Sequence, residues 1–275
     1  MTLTIKSRIK LNDGMTMPLF GLGVWRLESG KETRDAVSYA LELGYKHIDT
    51  ASMYNNEEDV GSAIQESNLP REKLFITTKV HSSELGYDAT LEACERSLQK
   101  LNLTYLDLFL IHKPVKGYRQ NTWKALEKLK HENICRSIGV SNFSPKHLNE
   151  IFKICEFIPV VNQIEMNPFL AQKNISEFCR SKNIHITGYC PLARTEKSND
   201  PTLVNIANEC GKTWAQVMVR WGLQKQLTTI PKSANPERIR ENSDVFNFEL
   251  NEKQMQRLDD LDEGFRLRPD PNQLP

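Results

Sequence analysis

Short apolar segments alternate with longer amphipathic segments along most of the chain. The short segments are rich in β-branched residues, as buried strands are, and the longer ones carry apolar residues at helical spacing. Strands are predicted at residues 20–24, 47–48, 75–78, 105–111, 137–140, 160–164, 184–188 and 228–230. Several helices are predicted to begin with a capping residue followed by proline, at Ser144-Pro145, Asp200-Pro201 and Asn235-Pro236. Eight strand-helix repeats predict an α/β fold, a closed (β/α)8 TIM barrel of parallel strands.

An N-terminal β-hairpin is expected ahead of the barrel. Residues 4–17 alternate around Asn12-Asp13-Gly14, and an Asp-Gly pair between apolar alternations is a strong hairpin signal. Low-complexity tracts, charge blocks, Gly/Ser linkers and internal repeats are all missing from the sequence. We therefore predict a single domain over residues 1–275.

A doubly wound open sheet is the alternative arrangement for alternating strands and helices. That fold carries a G-x-G-x-x-G fingerprint after its first strand when it binds a dinucleotide. Residues 21–26 read GLGVWR and lack the third glycine. A Tyr-x-x-x-Lys pair, the catalytic spacing of short-chain dehydrogenases with that fold, is also missing. Both features favour the closed barrel.

Composition excludes several classes of function. The 36 basic and 35 acidic residues leave a formal charge of +1, which gives no electrostatic basis for binding nucleic acid or an anionic membrane. Mainly apolar stretches such as residues 106–111, which include one aspartate, fall far short of the roughly 20 residues that cross a bilayer, and residues 1–10 do not resemble a signal peptide. C-x-x-C and H-E-x-x-H motifs are missing, so no metal site is expected. We expect a cytoplasmic protein that acts on a small molecule.

Polar residues follow nearly every predicted strand. In a parallel barrel the active site lies at the carboxyl ends of the strands, so these residues are candidates for catalysis or binding. Each has an ordinary structural explanation as a helix cap, a core group or a solvated charge, and only their shared position at one end of the barrel indicates function. The candidates are Asp49, Tyr54, Lys79, His112, Ser141, Asn142, Gln163, Tyr189 and Lys232.

Four of these residues can form a proton-donating unit. The phenol of Tyr54 holds its proton at neutral pH, and the ammonium of Lys79 is expected to lower the pKa of that phenol. Asp49 can keep Lys79 charged and oriented, while His112 can hydrogen-bond a carbonyl oxygen. The unit suits protonation of a developing alkoxide.

Five motifs in order resemble those of the aldo-keto reductase family, from about residue 11 to about residue 271. They are HIDTASMYNNEE (47–58), TK (78–79), LIH (110–112), GVSNF (139–143) and IPKS (230–233). The resemblance implies a catalytic tetrad of Asp49, Tyr54, Lys79 and His112. It makes Tyr54 the general acid in reduction and the general base in oxidation.

The resemblance also implies NADPH as the cofactor. Ser141, Asn142 and Gln163 would hold the nicotinamide carboxamide, and Tyr189 would stack on its ring. The alternative is that the first two are turn formers and that Tyr189 belongs to the core.

A second cluster is expected at the adenosine end of the cofactor. The helix that begins at residues 235–236 offers unpaired N–H groups to an anion. Lys232, Ser233 and Arg238 surround that helix start and suit a phosphate monoester, and the family uses these positions for the 2′-phosphate of NADPH. Glu241 and Asn242 lie on the same helical face, where the family contacts adenine. A polar, solvated helix start is the alternative.

The predicted pocket departs from the family beside His112. Many members carry tryptophan before the proline, whereas residues 112–114 read HKP here. The side chain of Lys113 can turn to solvent, which we favour, or reach the substrate pocket and attract carboxylate-bearing compounds such as 2-keto acids. Trp25 is expected to line the pocket, with a core position as the alternative. The short connections at 113–119 and 193–199 and the short tail after residue 264 resemble compact microbial reductases.

We conclude from the sequence that the protein is an NADPH-dependent reductase of aldehydes and ketones, with Tyr54 as proton donor. An NADPH-binding sensor or regulatory subunit with little turnover is the first alternative. A structural protein that has recruited the fold without binding cofactor is the second. A monomer is expected from the resemblance.

Overall fold

The computed structural model describes residues 2–275 and contains two sheets. The first is an antiparallel pair of β1 (Arg8–Lys10) and β2 (Thr16–Pro18), which confirms the predicted hairpin. The second is an eight-stranded parallel sheet in which consecutive strands are neighbours. Its strands are β3 (Leu22–Gly23), β4 (His47–Asp49), β5 (Phe75–Val80), β6 (Leu106–Ile111), β7 (Cys135–Ser141), β8 (Val161–Glu165), β9 (His185–Tyr189) and β10 (Thr228–Thr229).

Helices follow the strands of the parallel sheet throughout the described residues. They are α1 (Lys31–Glu42), α2 (Glu57–Glu66), α3 (Tyr87–Leu101), α4 (Arg119–His131), α5 (Pro145–Phe152), α6 (Lys173–Ser181), α7 (Pro201–Cys210), α8 (Trp214–Gln224), α9 (Pro236–Ser243) and α10 (Glu252–Asp259). Short 3₁₀ turns occupy Ser52–Tyr54, Arg71–Lys73, Ala193–Thr195 and Pro271–Gln273. Across residues 2–275, every helix is too short or too polar to cross a bilayer.

The two edges of the parallel sheet meet and close it. Thr229 pairs in parallel with Phe20. Its N–H donates to Leu19 O at 2.9 Å, and its carbonyl accepts from Gly21 N at 3.1 Å. The predicted (β/α)8 barrel is therefore confirmed. Most strand ends lie one or two residues away from their predicted positions. Pairing stops where the chain turns toward the next helix, and the sequence pattern does not mark that point.

The hairpin closes the amino end of the barrel. Asn12, in its turn, donates through Nδ2 to the carbonyls of Pro159 and Asn183, each at 3.1 Å. Its apolar side chains join a separate buried cluster, formed by Leu11, Met17, Phe75, Leu108, Leu110, Val160 and Val161. Because this end is filled and covered, the opposite end is the one available for a binding cavity.

Three helices begin where the sequence predicts, each directly after its capping residue. The carboxylate of Asp200 accepts from Leu203 N at 3.0 Å, and the amide oxygen of Asn235 accepts from Arg238 N at 3.1 Å. Ser144 forms a reciprocal cap with His147. These caps satisfy N–H groups that the first turn of a helix cannot pair internally.

A neutral histidine is enclosed where β4 begins. The Nε2 of His47 lies 3.0 Å from Thr77 Oγ1, whereas its Nδ1 has no protein partner within residues 2–275. A Cβ added at Gly21 would lie 2.7 Å from that Nδ1, so the close approach requires glycine. Burial, reinforced by the positive charges of Lys79 and Arg8, lowers the pKa of His47 to about 3.

His47 should therefore make the protein acid-sensitive. Between pH about 6.5 and about 3 the unfolded chain binds a proton at this residue and the folded chain does not, so the free energy of unfolding falls as pH falls, by up to about 1.4 kcal/mol per pH unit. Urea unfolding between roughly pH 5 and 6.5, above the range in which most carboxylates titrate, measures this slope. A His47→Gln variant should show a shallower slope than the parent, and identical slopes would contradict the assignment.

Candidate active site

A cavity of about 400 Å³ opens at the carboxyl ends of the barrel strands. Its volume is in the usual range for small-molecule sites. Most of the residues predicted to act together line it, namely Trp25, Asp49, Tyr54, His112, Lys113, Ser141, Asn142, Gln163, Tyr189 and Lys232. Lys79 lies beneath this wall and is fully buried.

An ion pair lies under the floor of the cavity. Lys79, near the end of β5, places Nζ 2.5 Å from Asp49 Oδ1, at the end of β4. The ammonium also donates to Thr50 O at 2.7 Å and lies 3.4 Å from the phenol oxygen of Tyr54. The second carboxylate oxygen of Asp49 accepts from Gln163 Nε2 at 2.7 Å. Both partners of the pair are therefore saturated with hydrogen bonds, as buried charges require.

The pKa of Tyr54 does not follow the expectation from the sequence. Burial raises this pKa well above its ordinary value, and the negative charge of Asp49 raises it further. The sequence predicts that the ammonium of Lys79 lowers it. That prediction is wrong for the free protein because burial outweighs the charge of Lys79, which Asp49 also balances, so the phenol keeps its proton.

His112 faces the same phenol from the end of β6. The rings of His112 and Tyr54 meet edge to face, with centroids 5.7 Å apart. Burial, followed by the positive charges of Lys79 and Lys113, lowers the pKa of His112 well below its ordinary value. The imidazole is therefore neutral at physiological pH and can donate one N–H to an oxygen in the cavity.

The amide side chains beside the tetrad form one hydrogen-bonded network. Asn142 donates to His112 O at 3.0 Å and accepts from the phenol of Tyr189 at 2.7 Å. Ser141 Oγ donates to Gln163 O at 2.9 Å. The Oε1 of Gln163 has no hydrogen-bond donor within residues 2–275, so an acceptor remains at the cavity wall. Donors and acceptors of this kind fit a carboxamide group.

The second predicted cluster touches the cavity wall through one residue, and its other members lie beside the cavity. Lys232 lines the cavity, whereas Arg238 is exposed on α9 and Asn242 is buried one turn further along. Glu241 is half-buried between these two. Ser233 is buried, and its hydroxyl accepts from Asn235 N at 3.1 Å in the turn before α9.

Trp25 and Lys113 both belong to the cavity wall. Each is half-buried, so Trp25 is not a core residue. Lys113 follows β6 directly and lies half-buried at the cavity wall, whereas the sequence favours a side chain turned to solvent.

Sequence reasoning missed three arginines that surround Trp25. The guanidinium carbons of Arg26, Arg194 and Arg268 lie 4.8, 4.9 and 5.0 Å from its ring centroid. They come from three distant parts of the chain. Only the adjacency of Trp25 and Arg26 could have been noticed in the sequence.

Metal-binding side chains do not cluster in the part of the chain that the structure describes. Within residues 2–275 there is no group of three His, Cys, Asp or Glu residues that could hold an ion. The cysteines are free thiols, and the sulfurs of Cys94 and Cys135 lie 3.7 Å apart in the core. The candidate chemistry therefore rests on the tetrad and its surrounding amides.

Comparison with known proteins supports the same interpretation. Residues 20–263 match the aldo/keto reductase family model. The chain is 48% identical over 267 residues to the 9,11-endoperoxide prostaglandin H2 reductase of Trypanosoma cruzi, covering 96% of this chain and 94% of that one. It is 45% identical over 274 residues to the glyoxal reductase of Bacillus subtilis, covering 100% and 99% of the two chains.

Solved structures agree with these sequence relatives. A variant of Gox0644 in complex with NADPH superposes with a TM-score of 0.93 at 41% identity, covering 98% of this chain and 99% of that one. A Bombyx mori aldo-keto reductase in complex with NADP gives a TM-score of 0.90 at 34% identity, covering 99% of each chain. The protein belongs to the aldo/keto reductase family and is an oxidoreductase that acts on carbonyl or CH–OH groups.

Proposed function

We propose that this protein reduces aldehydes and ketones to alcohols with NADPH, and that Tyr54 delivers the proton to the carbonyl oxygen. The observation that carries the proposal is the 3.4 Å contact between the Tyr54 phenol and the buried Lys79–Asp49 pair, on the floor of a cavity walled by amide side chains. Membership of the family supports the reaction class. We infer that residues 1–275 act as one domain, and a monomeric state stays a prediction.

In this proposal each residue of the tetrad has a separate role in protonating the substrate oxygen. A carbonyl oxygen between Tyr54 and His112 accepts a hydrogen bond from each, which stabilises the negative charge that develops there. Tyr54 then transfers its proton to the alkoxide. Lys79 stabilises the resulting phenolate, and Asp49 holds the ammonium in place through their short ion pair. In the oxidative direction Tyr54 accepts the proton.

The cavity wall fits a nicotinamide dinucleotide. Ser141, Asn142 and Gln163 would hold the carboxamide, and Tyr189, fixed by its bond to Asn142, would support the ring. When bound, NADPH supplies a hydride from C4 of its nicotinamide. Lys232, Ser233 and Arg238 would hold the 2′-phosphate, with Glu241 and Asn242 beside the adenine.

The phosphate assignment predicts a selective loss of affinity. Lys232→Ala or Arg238→Ala should weaken NADPH binding about tenfold or more, because a charge-assisted hydrogen bond contributes about 1.5–3 kcal/mol. NADH binding should change little, because NADH has no 2′-phosphate. Fluorescence titration with both cofactors makes the comparison. Equal losses for NADPH and NADH would refute the assignment.

The reaction class can be tested with a panel of carbonyl compounds. NADPH consumption is followed with aldoses, α-ketoesters and α-dicarbonyls as substrates. Turnover of at least one class is expected. Tight NADPH binding without turnover of any compound would instead support a cofactor sensor.

A further inference from the structure

Among the described residues, 2–275, five cationic side chains and one carboxylate line the cavity. The carboxylate is Asp49, which is already paired with Lys79 beneath the floor. The cations are Arg26, Lys113, Arg194, Lys232 and Arg268. The proposed function uses Lys232 for the cofactor phosphate. The remaining four have no assigned partner.

Arg268 is held at the cavity wall by the backbone of the C-terminal tail. Glu165, at the end of β8 and buried, accepts from Arg268 N at 3.0 Å and from Leu267 N at 2.9 Å. These charge-assisted bonds fix the tail where it passes Trp25. Glu165 does not itself line the cavity, and its carboxylate is engaged by these two backbone N–H groups.

Within residues 2–275 no carboxylate forms an ion pair with the guanidinium of Arg268, although its charge opposes the rise in the pKa of the buried Glu165. This guanidinium packs on the Trp25 ring at 5.0 Å from the centroid, and within residues 2–275 it makes neither an ion pair nor a side-chain hydrogen bond. The neighbouring tail residue Arg266 differs, because its guanidinium donates to Gln172 Oε1 at 3.1 Å and lies 3.5 Å from Asp270. A contact with the indole face uses no N–H group, so the N–H groups of Arg268 are available for a planar carboxylate.

Of the four cations, Arg268 and Lys113 have charges that influence the pKa of a residue proposed to bind the carbonyl oxygen. Both lower the pKa of His112, and Arg268 also opposes the rise in the pKa of Tyr54. The charges of Arg26 and Arg194 act instead on the pKa of the Cys190 thiol, together with that of Arg268. An anion held by Arg268 or Lys113 would therefore lie close to the carbonyl that Tyr54 protonates.

We propose that Arg268, which lies over the ring of Trp25, and Lys113 form a subsite for a carboxylate on the substrate, so that the enzyme favours 2-keto acids and similar anionic carbonyl compounds. This inference rests on the proposed function. Arg268 binds the carboxylate through its guanidinium edge, and Lys113 contributes a point charge at the rim. Glu165 is a positioning residue that acts through the tail.

The test compares an anionic substrate with its neutral ester. Phenylglyoxylate and methyl phenylglyoxylate are assayed with NADPH in the parent protein and in Arg268→Met, which keeps an apolar side chain over Trp25 and removes the charge. The acid-to-ester ratio of kcat/KM should fall about tenfold or more, as the loss of a charge-assisted hydrogen bond implies. Lys113→Met should lower the ratio several-fold, as a partly solvated attraction of about 1 kcal/mol implies. Added salt should narrow the difference between acid and ester in the parent protein.

Arg266→Met is the matched control, since it removes an arginine of the same tail whose guanidinium is already paired. Its acid-to-ester ratio should equal that of the parent. Arg268→Lys keeps the charge without the planar guanidinium and should give an intermediate ratio. Thermal unfolding of each variant reports whether the tail change has altered folding.

Binding measurements separate this inference from the proposed function. Calorimetric titration of phenylglyoxylate into the NADP⁺-bound protein should show a weaker affinity in Arg268→Met by a similar factor. If the parent binds the acid in this Arg268-dependent way but reduces neither substrate, the subsite stands and the proposed function fails. An unchanged ratio and an unchanged affinity in Arg268→Met would overturn the subsite. An unchanged ratio with weakened NADPH binding would also overturn it, and would assign Arg268 to the cofactor.

Discussion

Tyr54→Phe is expected to reduce kcat for carbonyl reduction by about 10²- to 10⁴-fold, the contribution typical of general acid catalysis. NADPH affinity should be nearly unchanged, because within residues 2–275 the lost hydroxyl forms one hydrogen bond, at 3.4 Å to Lys79. Burial holds the pKa of Tyr54 well above its ordinary value, so the phenol is protonated and ready to donate at neutral pH. Single-turnover kinetics and cofactor titration measure the two quantities separately.

Tyr118→Phe is the control for this prediction. Tyr118 is an exposed tyrosine outside the cavity wall, and its variant should retain the parent rate. Residual activity of Tyr54→Phe above roughly a tenth of the parent would mean that another group donates the proton, since a general acid is worth more than that.

Lys79→Met should destabilise the protein by about 3–5 kcal/mol, because it leaves the buried carboxylate of Asp49 without its partner. Such a loss is a large fraction of the roughly 5–15 kcal/mol by which domains are stable. Carbonyl reduction should also be lost, since Lys79 no longer stabilises the phenolate of Tyr54. Urea unfolding at constant pH gives the change in free energy.

Two controls isolate the buried charge in that prediction. The double variant Asp49→Asn, Lys79→Met removes both charges and should recover part of the lost stability. Lys31→Met breaks the exposed ion pair with Asp35 and should cost no more than about 1 kcal/mol. If Lys79→Met were no more destabilising than Lys31→Met, the ion pair would not have the role assigned to it.

The fold and the centre of the candidate site could be predicted from the sequence. Parallel strands align their carboxyl ends, so residues such as Asp49, Lys79 and His112 had to gather at one end once the strands were recognised. The hairpin could be predicted as well, because an Asp-Gly turn is a local signal.

The outer wall of the site could not be predicted in the same way. Arg268 reaches Trp25 only because Glu165 holds the tail across the barrel, and this contact depends on residues about a hundred positions apart. The place of Lys113 at the cavity wall depends on the path of the chain beyond β6, which no periodicity encodes. The pKa of Tyr54 was misjudged because the sequence reveals a neighbouring charge more readily than the burial that outweighs it.

Transfer of deuterium from NADPH to a carbonyl compound tests most directly whether this protein is an NADPH-dependent carbonyl reductase. Each epimer of NADPH deuterated at C4 of the nicotinamide is mixed with the wild-type protein and a carbonyl substrate from the panel, and the alcohol is analysed by mass spectrometry and NMR. Deuterium from one epimer only should appear on the carbinol carbon, at a rate that falls with Tyr54→Phe. Hydride transfer from NADPH would be contradicted if alcohol formed without deuterium from either epimer. It would also be contradicted if no carbonyl class gave alcohol although NADPH was bound.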